Sequence, residues 1–149
     1  MKTILFLCTG NSARSIMAEA YMNAAGGGSW RAFSAGSKPT GAPNPLAIET
    51  LRANDVVIGE GESAPRSKSW DEFTQDGATV MDVVVTVCDN AAAETCPIWP
   101  TGDGPAPRTL HWSFPDPAAA TGSKEDRLAE FQSVFDAIRA RIDDFLAGA

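Results

Sequence analysis

Hydrophobic positions in this chain change their period several times, and each change marks an element. Residues 3–7 (TILFL) form a continuous β-branched and aromatic run, which predicts a buried strand. Residues 8–13 (CTGNSA) are a polar loop. Residues 14–25 (RSIMAEAYMNAA) read as a helix with Ile16, Ala20 and Ala24 on one face and Gly26-Gly27-Gly28 as its stop. A second strand covers 30–35 and ends at Gly36. Asn44-Pro45 is an N-cap followed by proline at the first helical position; it opens a helix carrying Leu46, Ile48 and Leu51 that runs to about Ala53.

Residues 55–66 are weakly patterned and broken by Gly59, Gly61 and Pro65. A short helix is expected over 69–73, with Ser69 as its cap. Residues 82–87 (DVVVTV) are the clearest strand, apolar on both faces and therefore central. An Ala/Pro/Gly-rich loop follows over 91–104, then a fourth strand over 108–112. Gly122-Ser123 opens a long amphipathic helix, in which Leu128, Phe131, Phe135, Ile138, Ile142 and Phe145 recur at steps of three and four. Strands alternating with helices predict the α/β class, with an open, mostly parallel sheet and right-handed crossovers that put helices on both faces. The 149 residues, 1–149, are expected to form one domain with a core that needs no disulfide or metal.

Charge narrows the partners. Twelve Lys and Arg against nineteen Asp and Glu give −7, with no basic run, so nucleic acid is not an expected partner. No apolar run reaches the roughly 18–20 residues that span a bilayer. The first fifteen residues lack a long apolar stretch and a small-residue cleavage site. A cytoplasmic location is the expectation, without a membrane partner. Three cysteines, Cys8, Cys88 and Cys96, are an odd number and do not suggest a structural disulfide framework.

Ligands of open α/β sheets bind beyond the carboxyl ends of the strands. Cys8 follows the first strand, Ser34 and Gly36 end the second, Cys88 follows the third and Asp116 follows the fourth. Between Cys8 and Arg14 lie five residues, Thr9-Gly10-Asn11-Ser12-Ala13, joining a strand to a helix. A loop of that length can curl around a tetrahedral oxyanion and aim its amides inward. The helix N-terminus adds partial positive charge, and Arg14 supplies a planar pair of donors. The same surroundings predict a lowered Cys8 pKa and a reactive thiolate. Asp116, between Pro115 and Pro117, is a candidate general acid on a stiffened loop, or a turn residue.

CTGNSARS followed by MAEA resembles the phosphate-binding loop of low molecular weight protein tyrosine phosphatases, and more closely that of the arsenate reductases built on the same fold. SAGSKPTGAPNPLAIETL, RSKSWDEF, VVVTVCDNAAAETCP and HWSFPDPA resemble the reductase branch as well. The resemblance implies a four-stranded parallel sheet flanked by helices. It implies Cys8 as nucleophile, Arg14 as oxyanion clamp, Asp116 as general acid, and Thr9, Gly10, Asn11, Ser12, Ala13, Arg14 and Ser15 as the oxyanion loop. It also implies a thiol relay. Reduction of arsenate needs two electrons, which Cys8 and Cys88 can supply by forming a disulfide that Cys96 then takes over. The implied partners are arsenate or a phosphate-like oxyanion and an external reductant, thioredoxin or glutaredoxin, with no organic cofactor.

Some reductases of this family hold a potassium ion at positions matching Asn11, Glu19 and Ser34; Asn11 serves equally as a brace for the loop, and Glu19 as a solvated helix residue. Ala118 stands where the phosphatases commonly carry an aromatic residue against the substrate ring, which argues against an aryl phosphate. His111, the single histidine, is either a tuning group for Asp116 or a redox thiol, or a half-buried strand residue with a backbone partner. Trp99 either meets a partner or covers the core. Beside the reductase stand two other readings: a phosphatase using Cys8, Arg14 and Asp116, and an oxyanion-binding module without turnover.

Overall fold

A computed structural model describes residues 1–59, 61, 64–75, 77–88, 99, 101 and 104–148. Its elements follow in order: β1 (Lys2–Leu7), α1 (Arg14–Ala25), β2 (Trp30–Ala35), α2 (Pro45–Ala53), a 3-10 turn (Trp70–Phe73), β3 (Val83–Thr86), β4 (Arg108–His111), a second 3-10 turn (Pro117–Ala119) and α3 (Lys124–Ala147). The four strands are parallel and ordered β2-β1-β3-β4.

β1 is buried on both sides because its neighbours flank it and its side chains feed two cores. Ile4 and Phe6 face one way, into a cluster with Val83, Val85, Met17, Met22, Leu51, Phe131, Phe135 and Ile138. Leu5 and Leu7 face the other, into a smaller cluster with Val84, Phe73, Met81 and Trp99. Such two-sided burial is what turns parallel strands into unbroken apolar runs. All three α-helices pack together on the first face. The short helix expected over 69–73 is a 3-10 turn on the second face, so the two faces are covered unequally. The second face is covered by the 3-10 turn through Phe73 and by Trp99, 7% exposed, whose ring meets Trp70 edge-on at 6.4 Å. Trp99 thus covers the core.

Strand and helix bounds lie close to expectation, with local differences. Asp82 precedes β3 instead of starting it, because its carboxylate accepts from the Thr3 N–H at 2.8 Å. On α1 the buried face is Ile16, Met17, Ala18 and Met22, while Ala24 is exposed. Alanine carries too little apolar area to set which way a helix faces; the methionines do. α2 is capped by the Asn44 side chain and α3 by a reciprocal Ser123–Asp126 capping box. The N-cap of α1 is Ala13, whose side chain has no oxygen to offer the first amides.

The outward backbone of β2 is answered from outside the sheet. Asn23 Oδ1 accepts from the Ala32 N–H at 2.8 Å, and its Nδ2 donates to the Ala32 carbonyl at 3.2 Å. One turn earlier on α1, the Glu19 carboxylate takes a backbone hydrogen bond from Ser34. Beyond the strand, Gly36 donates to the Lys68 carbonyl at 3.0 Å and accepts from the Trp70 N–H at 2.9 Å. No helix among the described residues is long and apolar enough to cross a membrane.

Candidate active site

The strand order decides where chemistry can gather. The chain leaves β1 for β2 on one side and returns to β3 on the other, so a crevice opens between the ends of β1 and β3. Leu7 pairs with Thr86, and the Val87 N–H donates to the Leu7 carbonyl at 2.9 Å. Cys8 and Cys88 therefore emerge from adjacent strands at nearly the same height. Both are buried thiols, 6% and 2% exposed, and they are hydrogen-bonded to each other. They line a cavity of about 260 Å³ together with Thr9, Gly10, Ser12, Ala13, Arg14, Thr40, Asp116 and Ala118.

The loop between Cys8 and Arg14 is shaped by what holds its carbonyls. Cys8 O accepts from the Asn11 N–H, Thr9 O from Lys38, Gly10 O from Thr40 and Ser12 O from Asn44, at 2.8–3.2 Å. Ala13 O accepts from Met17 inside the first turn of α1, at 2.9 Å. With these oxygens tied outward, the remaining amides can form an anion-binding nest at the uncapped start of α1. The Gly10 amide already points at the Cys8 sulfur. Asn11 adopts a left-handed φ of 44° and turns its side chain away from the cavity. Its Oδ1 accepts from the Lys68 N–H at 2.9 Å and its Nδ2 donates to Ser15 Oγ at 2.8 Å. Asn11 and Ser15 thus brace the loop from behind, and the Asn11 N–H is spent on Cys8 O.

Arg14 leans over the cavity. Its Nη1 donates to the Phe114 carbonyl at 2.9 Å and its Nη2 lies 3.9 Å from Asp116 Oδ2. Asp116 Oδ1 accepts from the Ala118 N–H at 3.0 Å, so this residue caps the 3-10 turn and also faces the cavity. One oxygen thus meets the turn reading, while the other lies near Arg14 at the pocket.

The electrostatics correct one expectation. The hydrogen bond with Cys88 and burial push the Cys8 thiol up from its ordinary value, against the opposing pull of Arg14 and the Gly10 amide. Two buried thiols in contact share protons as a pair. A thiolate on Cys8 was expected from the loop alone; the neighbour that raises it comes from another strand.

Lys68 was not singled out by sequence. Its buried ammonium lies 3.7 Å from the Glu19 carboxylate and donates to the Arg66 carbonyl at 3.0 Å. Burial raises the Glu19 pKa and lowers that of Lys68, each partly offset by the other. The Ser34 hydroxyl faces Glu19 and helps keep it ionised, without meeting the geometry of a full hydrogen bond. Of the Asn11, Glu19 and Ser34 constellation expected for potassium, Glu19 lies beside the Lys68 ammonium and Asn11 Oδ1 accepts from the Lys68 N–H. Among the described residues no cluster of three His, Cys, Asp or Glu side chains could hold a metal. His111, exposed at the end of β4, has its Nδ1 2.7 Å from Thr86 Oγ1 on the neighbouring strand, a side-chain partner in place of the expected backbone one. Cys96 and the rest of 89–98 lie outside the described residues.

A strand-to-helix loop with carbonyls tied outward, a buried cysteine at its start, an arginine at its end and an Asp-Pro acid across the mouth define a cysteine-dependent oxyanion enzyme. Residues 3–148 match the low molecular weight phosphotyrosine protein phosphatase family, and the chain belongs to that family. Within it, the chain is 40% identical to the arsenate reductase of Bacillus licheniformis over 144 residues, 97% of this chain and 94% of that protein. The structure of an arsenate reductase in the phosphate binding state superposes with a TM-score of 0.75 at 25% identity, covering 99% of this chain and 98% of that one. The arsenate reductase of Archaeoglobus fulgidus gives 0.70 at 26% identity, over 97% and 98%.

Proposed function

We propose that the protein reduces arsenate to arsenite in the cytoplasm, with Cys8 as the attacking thiol and Cys88 as the first resolving thiol. The observation that carries this is the contact of Cys8 with Cys88 inside the oxyanion cavity. Hydrolysis of a phosphate ester uses one cysteine; a second buried thiol against it supplies the other electron of a two-electron reduction.

The Cys8 sulfur attacks arsenic, and an arsenate oxygen leaves as water with a proton from Asp116. Arg14 and the loop amides hold the remaining oxygens. Cys88 then attacks the Cys8 sulfur. The S–As bond breaks, its electron pair stays on arsenic, arsenite departs, and a Cys8–Cys88 disulfide remains. Two thiols have been oxidised and arsenic has gained two electrons. Cys96 then attacks Cys88 and releases Cys8, leaving a Cys88–Cys96 disulfide for an external thiol carrier. Thioredoxin is the reductant that fits a protein disulfide of this kind. Glutathione with glutaredoxin would need Cys8 alone.

The test is arsenate turnover by purified protein with thioredoxin, thioredoxin reductase and NADPH, beside a reaction with glutathione and glutaredoxin. NADPH consumption that depends on arsenate in the first and is absent in the second supports the relay. Turnover with glutathione and glutaredoxin alone would remove Cys88 and Cys96 from the electron path.

A further inference from the structure

The oxyanion loop is gripped from a stretch of chain that the hydrophobic pattern left blank. Gly10 lacks a Cβ to restrict its backbone, so its orientation must be set by its contacts. Its carbonyl takes two donors, the Thr40 N–H at 3.0 Å and the Ser67 hydroxyl at 3.1 Å. The Ser67 oxygen is itself held, accepting from the Gly41 N–H at 3.3 Å and lying 3.5 Å from Thr40 Oγ1. One residue on, the Lys68 N–H holds Asn11 Oδ1. Two consecutive residues therefore grip two consecutive loop residues. The gripping segment is anchored in turn to the backbone of Gly36 on either side of Ser69.

We propose that Ser67 is a positioning residue for oxyanion binding. It keeps the Gly10 carbonyl turned out of the cup, so that the anion meets amides there and no carbonyl oxygen. Ser67 does not line the cavity and touches no reacting atom; it acts through Gly10. The inference rests on the oxyanion reading of the loop given above.

The experiment uses the full chain with inorganic phosphate as the probe. Phosphate protection of Cys8 against iodoacetamide gives a half-protection concentration, and urea unfolding gives stability. Ser67→Ala is expected to raise the half-protection concentration about 3–10-fold, the range of one net hydrogen bond, while the urea midpoint stays near that of the wild type. Ser67→Thr keeps the hydroxyl and is expected to restore protection. Unchanged protection in Ser67→Ala would overturn the proposal. So would a loss shared by both variants that follows a fall in the urea midpoint, because it would mark a general structural role. If phosphate fails to protect the wild type, the oxyanion reading falls, and this inference with it.

Discussion

Gly36→Ala is the substitution in which a single methyl should do the most damage. The φ of Gly36 is not left-handed, so conformational freedom is not what glycine contributes there. Space is. A Cβ would lie 2.3 Å from Thr9 O and 2.4 Å from Cys8 O, with ordinary contact beginning at 3.4 Å, a shortfall of about 1.1 Å against the loop backbone. Neither side can yield freely. Gly36 is bonded to Lys68 and Trp70, and Thr9 O is held by Lys38. Forcing the two apart should cost about 1–3 kcal/mol of packing strain and one or two hydrogen bonds at about 1 kcal/mol each. The smaller backbone entropy of unfolded alanine offsets about 0.4–1 kcal/mol of this. A net loss of about 2–4 kcal/mol should appear in the urea midpoint. Displacing the loop by about an ångström should also slow the chemical step about 100-fold, measured as single-turnover arsenite formation. A variant with wild-type stability and wild-type single-turnover rate would refute the close approach of Gly36 to the loop.

Other outcomes follow from the same geometry. Asp116→Asn keeps the cap on Ala118 but cannot give a proton, so the chemical step should slow about 10²–10⁴-fold with phosphate protection of Cys8 little changed. Cys88→Ala removes the largest influence raising the Cys8 thiol, so Cys8 should be alkylated faster at pH 7 than in the wild type; a slower rate would show that Cys88 instead activates it. Cys88→Ser should stop repeated arsenate turnover, and Cys96→Ser should trap a Cys8–Cys88 disulfide, visible by peptide mapping. Lys68→Met leaves Glu19 buried without its cation and should cost about 3–5 kcal/mol at pH 8. The folded Glu19 pKa is already raised by burial and rises further without Lys68. The folded state then binds more protons than the unfolded one above the ordinary glutamate value, so the deficit should shrink as pH falls towards 5. A deficit that grows on acidification would reverse that assignment.

Sequence reading reached the elements whose signals are local. The apolar runs of β1 and β3, the Asn44-Pro45 start of α2 and the stripe of α3 each declare themselves within a dozen residues. Cys8, Arg14 and Asp116 were legible because the loop and the Asp-Pro turn are contiguous in sequence. Ser67, Lys68 and Thr40 were not. The bonds by which Ser67 and Lys68 hold the loop cross 57 residues of sequence, and residues 55–66 beside them have no period to read. The proton on Cys8 was misjudged for a related reason: the loop argues for a thiolate, and the opposing thiol arrives through sheet order.

The way α1 answers the outward backbone of β2 has a consequence for behaviour at high concentration. An unpaired strand border offers donors and acceptors to any passing chain, and proteins blunt it to stay monodisperse. Here Asn23, Glu19 and the residues flanking Ser69 occupy the positions a foreign strand would need. The opposite border is the four-residue β4, with Arg108 and His111 at its ends. Intermolecular strand pairing is therefore obstructed on both sides of the sheet. The same glutamate that neutralises Lys68 behind the oxyanion loop also guards the molecule against templated aggregation.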